Sequence, residues 1–212
     1  MRSSADQTKA ALIRAAEQLM AEHGVEGAEL NEIVELAGQR NRSAVLYHFG
    51  GRDGLVAAII AKHRGPINRE RHRMLDEIET TGDLTARALA SAAILPLARS
   101  LRTPSGRDYV VILCERATRL GSAGIYAARG PIADSVARTN ALLARLVSSD
   151  SDTTRTRGGE LELVAVVLIA DIARDINRRA LTVKASVARV ESVIDLFVLG
   201  IESLGSPARR PG

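Results

Sequence analysis

At 212 residues, 46% of them apolar, the chain can bury an ordinary globular core, which excludes a largely disordered protein. The longest apolar run, 163–170, is far too short to cross a bilayer, and residues 1–7 hold no apolar signal core, so a cytoplasmic protein with no membrane segment is expected. The net charge of +4 is modest but unevenly placed: six acids and no Lys or Arg lie in 17–35, then eight bases against two acids in 38–73, an excess expected to form a locally basic, phosphate-binding face.

Residues 7–23 read as a first helix, with Leu12, Ala15, Ala16, Leu19 and Met20 at helical spacing and Gly24 ending it. Thr8 and Lys9 at its start suit a nucleic-acid backbone, since helix amino termini attract anions, and equally suit a plain solvated end. A second helix over 30–37 places Leu30, Ile33, Val34 and Ala37 on one face, and Gly38 closes it. Asn41 then suits the cap of a third helix whose apolar side is Ala44, Val45 and Phe49. Two short helices joined by a glycine-containing turn make a helix-turn-helix over about 30–49, whose second helix can lie in a DNA major groove.

The candidate DNA-contacting residues are Arg40, Asn41, Arg42, Ser43, Tyr47, His48 and Arg52. Arg42 and Ser43 suit base edges; Tyr47, His48 and Arg52 suit phosphates. The amphipathic ring of Tyr47 also suits packing under the first helix. A fourth helix opens at Gly50–Gly54 with Asp53 in its first turn, carries Leu55, Ile59 and Ile60, and should kink or break at Gly65-Pro66.

Beyond Pro66 the pattern stays helical: 67–80, 83–101 interrupted at Pro96, 109–120 ended by Gly121 to Gly124, and 132–147 opened by Gly130-Pro131. Residues 148–159 read as a polar loop. Two broadly apolar helices, 161–181 and 187–204, close the pattern, with Gly200 allowing close backbone approach. No stretch alternates as a strand would, so the chain is expected to be all-α.

The run 10–24, then Ile33, Ala37-Gly38, Leu46-Tyr47-His48-Phe49 and Arg52-Asp53-Gly54-Leu55, resembles the amino-terminal domain of the tetracycline-repressor (TetR) family over the first quarter to third of the chain. The chain departs from that pattern in three places. The turn is about two residues longer, Arg42 replaces a small polar residue, and Ala28-Glu29 replace the threonines that cap the second helix. The resemblance implies a DNA-binding domain at 1–65, a helical ligand-binding and dimerisation domain at 66–205, and a flexible tail at 206–212. It also implies that the last two helices pair with their copies as a four-helix bundle, burial within one chain being the other reading.

The expected function is that of a ligand-responsive, sequence-specific regulator, a repressor, acting as a homodimer on a pseudo-palindromic double-stranded DNA operator. A small-molecule effector would bind in the helical body, with Tyr109, Arg116 and Tyr126 orienting it; Arg116 equally suits a structural pair with Glu115 or Asp108. A helical interaction scaffold that no longer binds DNA is the alternative. Cofactors, metal ligands and catalytic residues are expected to be none. His23, His48, His63 and His72 lack cysteine partners or HExxH spacing, and no nucleophile elbow, P-loop or dinucleotide motif occurs. The lone Cys114, within an apolar run, reads as a core residue. Five aromatics are too few for the stacking platforms of single-strand binding.

Overall fold

Helical spacing of the apolar residues is realised along the described residues. The computed structural model describes residues 4–121, 131–147 and 151–205. Its helices are α1 (Ser4–His23), α2 (Leu30–Leu36), α3 (Ala44–Phe49), α4 (Arg52–Thr81), α5 (Ala86–Ala98), a short 3-10 turn (Arg99–Arg102), α6 (Pro104–Leu120), α7 (Pro131–Val147), α8 (Ser151–Asn177) and α9 (Ser186–Gly205). No strand occurs among the described residues, in agreement with the all-α expectation.

Leu12, Ala16 and Met20 on α1 are fully buried with Ile33 of α2 and with Leu55, Val56 and Ile59 of α4, while Val45 of α3 is almost so. Each large side chain buried in this way contributes about 1.5–3 kcal/mol, so the two very short helices α2 and α3 are held by tertiary packing rather than by their own propensity. α1 also packs on α6, and α6 on α8, which joins the amino-terminal helices to the body without a gap.

Three expectations need correction. α4 is not broken at Gly65-Pro66: it runs 30 residues, about 45 Å at the usual rise, with Pro66 inside it. The residue before a proline is normally forced out of helical conformation by a clash that involves its Cβ; Gly65 has none. α5 also passes through Pro96, although Leu95 before it carries a Cβ, so the glycine account does not extend to that site. The polar stretch 148–159 is not a loop beyond residue 150, because α8 begins at Ser151. Asp152 in its first turn pairs with Arg155 at 3.0 Å, and Thr156 bonds back to the Asp152 carbonyl, so local polar contacts sustain the helix until the apolar stripe begins.

α8 and α9 are each buried on one side and bare on another. Ile169, Ile172, Ile194 and Ile201 are sealed in the core of a single chain, whereas Val164, Val167, Leu196 and Leu199 are exposed, Leu199 by 61%. At Gly200 a Cβ would lie 2.4 Å from Leu161 Cδ2, so the close approach expected there is present.

Candidate DNA interface and effector cavity

α2 ends as its glycine requires. Gly38 has φ 68°, and Gln39 N donates to Val34 O at 3.0 Å. Its start has no side-chain cap, as the Ala28-Glu29 pair foretold. The long turn is organised by Asn41, whose Oδ1 accepts from Ser43 N at 3.0 Å while its carbonyl accepts from Ala44 N at 2.9 Å. Asn41 therefore builds the turn, and Ser43 occupies the cap position of α3, without a side-chain capping bond.

Arg40, Asn41, Arg42 and Ser43 are all exposed. Tyr47 is 81% exposed, which overturns packing under α1; its ring meets His48 edge-on at 4.9 Å. His48 is half-buried at the same edge. These six residues lie on one turn and one short helix. Arg52 does not join them freely. Its guanidinium donates to Ala28 O at 2.7 Å and to Val25 O, and pairs with Glu26 at 3.8 Å, so it clamps the α1–α2 loop.

The basic excess in 38–73 also resolves differently from its sequence reading. Lys62 bonds Glu17 at 2.7 Å, Arg73 bonds Glu70 at 2.8 Å, and Arg71 is buried, so the excess does not form one exposed basic face. Arg40 and Arg42 remain exposed beside α3.

In the body, α4, α5, α6, α7 and α8 enclose a cavity of about 70 Å³. Leu97, Leu113, Val136 and Val166 supply apolar wall, and Arg64, Asn68, Arg71, Tyr109 and Glu162 supply polar groups. Arg71, 7% exposed, donates from Nη2 to Ala93 O at 3.1 Å and from Nη1 to Ser135 Oγ at 3.4 Å. Burial pushes the Tyr109 hydroxyl up to about 12 against the pull of Arg64 and Arg71, which keeps it a neutral donor. Burial pulls the Arg64 guanidinium down, with Tyr109 opposing.

A polar cluster joins this cavity to α1. Glu17, 1% exposed, accepts from Lys62 Nζ at 2.7 and 2.9 Å, from Ser105 Oγ at 2.7 Å, and meets His63 Nε2 at 2.7 Å. Burial alone would raise its carboxyl; the bonds from His63, Lys62 and Ser105 outweigh burial and hold it below the usual glutamate value. The His63 ring stacks on Tyr109 with centroids 4.5 Å apart. A second junction sits at the end of α6. Glu115 accepts from Val25 N at 2.9 Å, and Arg119 bonds Glu26 at 2.6 Å, both on the α1–α2 loop.

Residues 12–59 match the family model described as bacterial regulatory proteins, tetR family. The HTH-type transcriptional regulator SrpR of Pseudomonas putida is 26% identical over 111 residues, 52% of this chain and 47% of SrpR, so the chain spans about half that relative's length. The body resembles solved structures along nearly its whole course. Two crystal structures of NalD, the secondary repressor of the MexAB-OprM multidrug efflux pump in Pseudomonas aeruginosa, align with TM-scores of 0.59 and 0.60. They are 20% and 21% identical, and cover 94% and 93% of this chain and 98% of NalD.

Residues 12–59 are a TetR-type DNA-binding module.

The remaining sequence-derived positions fall as follows. Tyr109 lines the cavity. Arg116 does not: it faces Asp53 at the start of α4, 3.7 Å away, rather than a ligand, Glu115 or Asp108. Tyr126 lies outside the described residues. Cys114 is buried, as expected. No group of His, Cys, Asp and Glu among the described residues could hold a metal ion, and no described helix is long and apolar enough to cross a membrane.

Sequence reading missed Glu17, Arg71 and Glu162. Each had a signal. Arg71 is in phase with Ile67, Leu75 and Ile78 on α4, and Glu162 with Val166, Ile169 and Ala173 on α8. Glu17 is in phase with Ile13 and Met20 on α1. A charge in the buried phase of a helix must find partners there.

Proposed function

We propose that the chain is a homodimeric transcriptional repressor that binds a pseudo-palindromic operator and releases it when a small molecule fills the cavity between α4 and α8. The exposed set Arg40, Arg42, Ser43 and Tyr47, mounted on helices whose other side is fully packed, carries this reading. Donors without a structural task on a short, rigid helix suit major-groove edges and phosphates. Arg42 and Ser43 read bases; Tyr47 and His48 fix the helix on phosphates, with Asn41 shaping the turn and Arg52 bracing it from behind. The DNA-binding portion is residues 1–65 and the effector and dimerisation portion 66–205, so α4 spans both. The bare strip of Val164, Val167, Leu196 and Leu199 is the dimer face, and NalD's description as a repressor supports the direction of control.

The test is fluorescence anisotropy on a recovered operator and on a scrambled duplex of equal length. Arg42→Ala should cost about 1–3 kcal/mol on the operator and little on the scrambled duplex. Tyr47→Ala should weaken both alike. Equal losses on both duplexes for Arg42→Ala would remove its base-reading role, and no difference between operator and scrambled DNA for the parent protein would leave the scaffold reading.

A further inference from the structure

The cavity's charges are not neutralised by its own walls. Arg71 is buried, and its two bonded nitrogens meet neutral acceptors, the Ala93 carbonyl and the Ser135 hydroxyl, while its Nε has no partner. Arg64, half-buried about two turns earlier on α4, is paired with no carboxylate among the described residues. The carboxylate on the opposite wall, Glu162, forms no ion pair with either arginine, and its buried Oε2 is also without a partner. Two cations against one anion leave an excess positive charge beside the neutral Tyr109 hydroxyl. A buried, unpaired guanidinium is strongly unfavourable, so the site is built for a group that arrives from outside.

We infer that the effector is a small amphipathic monoanion, its carboxylate held by Arg64 and Arg71 and its apolar body laid along Leu97, Leu113, Val136 and Val166. This rests on the reading of the cavity as the effector site. A guanidinium presents a planar fork of donors that matches a carboxylate, and a second guanidinium about two helical turns away on the same face of α4 lines the same cavity. Glu162 sets the other limit: it repels a second acidic group and accepts from a hydroxyl or N–H, so a dianion is rejected. The void of about 70 Å³ has room for roughly two waters at about 30 Å³ each, enough for the head group alone. The apolar body must therefore part the helices, so the ligand selects a wider arrangement of α4 against α8. Tyr109 lies in that path, and its stack on His63 reaches Glu17 of α1.

The experiment is calorimetric titration of the full chain with butanoate, hexanoate and octanoate. The matched alcohols, alkylamines and α,ω-dicarboxylates serve as comparators. Carboxylates should bind at least about 10-fold tighter than alcohols of equal length, with affinity rising along the series, and amines and dicarboxylates should bind weakest. Arg71→Gln should cut carboxylate affinity by about 10-fold or more and leave the alcohols unchanged; the half-exposed Arg64→Gln gives the same reading if Arg71→Gln fails to fold. Alcohols binding as tightly as carboxylates, arginine variants binding carboxylates like the parent, or no carboxylate binding at millimolar concentration would each overturn the inference. Operator affinity is read separately. Carboxylates that bind through the arginines yet leave DNA affinity unchanged would sink the switch and keep the ligand class. Intact operator binding with no carboxylate binding would do the reverse.

Discussion

Replacing Glu17 with alanine tests whether the polar cluster under α1 holds the amino-terminal helices to the body. The carboxylate is 1% exposed and meets three donors, on Lys62, His63 and Ser105, at 2.7 Å each. Lys62 is 37% exposed and can return to water, so its loss is cheap; the His63 side chain is 13% exposed and cannot. Breaking a fully buried pair costs about 3–5 kcal/mol, and the partial escape of Lys62 lowers the expectation to about 2–4 kcal/mol. Urea denaturation at pH 7 measures it. The acid limb gives a second reading. Because the folded carboxyl lies below its usual value, its contribution is complete at neutral pH and disappears as pH falls below about 4. Glu17→Ala should flatten that limb. A loss under about 1 kcal/mol with an unchanged acid limb would refute the clamp.

Further outcomes follow from single contacts. Leu199→Asp should give folded monomers in sedimentation, because that side chain is bare on one chain, whereas Ile194→Asp, 1% exposed, should unfold the protein; a folded Ile194→Asp would contradict the packing. Gly54→Ala should weaken thermal stability and DNA binding together, since its Cβ would stand 1.7 Å from the Phe49 carbonyl oxygen and displace α3 from α4. Burial raises Asp108 to about 6 even though Asn177 donates to it at 3.1 Å. The folded state therefore holds its proton more tightly, and stability should fall as pH rises from about 4 to about 6. Asp108→Asn should remove that slope in pH-dependent urea titrations.

The helical class, the two-helix motif and the glycine that closes α2 were legible because they depend on local spacing and on backbone freedom at Gly38. Exposure of Tyr47 was legible only as one of two options, since an amphipathic ring suits either side. Gly65-Pro66 and Pro96 misled because packing can carry a helix through a proline; a glycine before Pro66 also relieves the local clash, whereas Leu95 before Pro96 does not. Arg52 and Arg116 were misplaced for a different reason: a long guanidinium can swing to a ligand or to a backbone carbonyl, and sequence spacing does not choose. The charge excess in 38–73 failed as a surface argument because Lys62 and Arg73 meet acids close in space, Glu17 being 45 positions away in sequence. The helix over 187–204 was expected to pair with its copy, yet both sides of α9 are apolar and only packing reveals that its own chain covers Ile194 and leaves Leu199 bare.

The most direct test of the account is selection of binding sites from a random duplex pool by the full chain. Two inverted half-sites should emerge with centres about 10–10.5 base pairs apart, or a multiple of that spacing, as a two-fold dimer requires. Recovery of a lone half-site, or of no enriched sequence from a folded and dimeric protein, would contradict it.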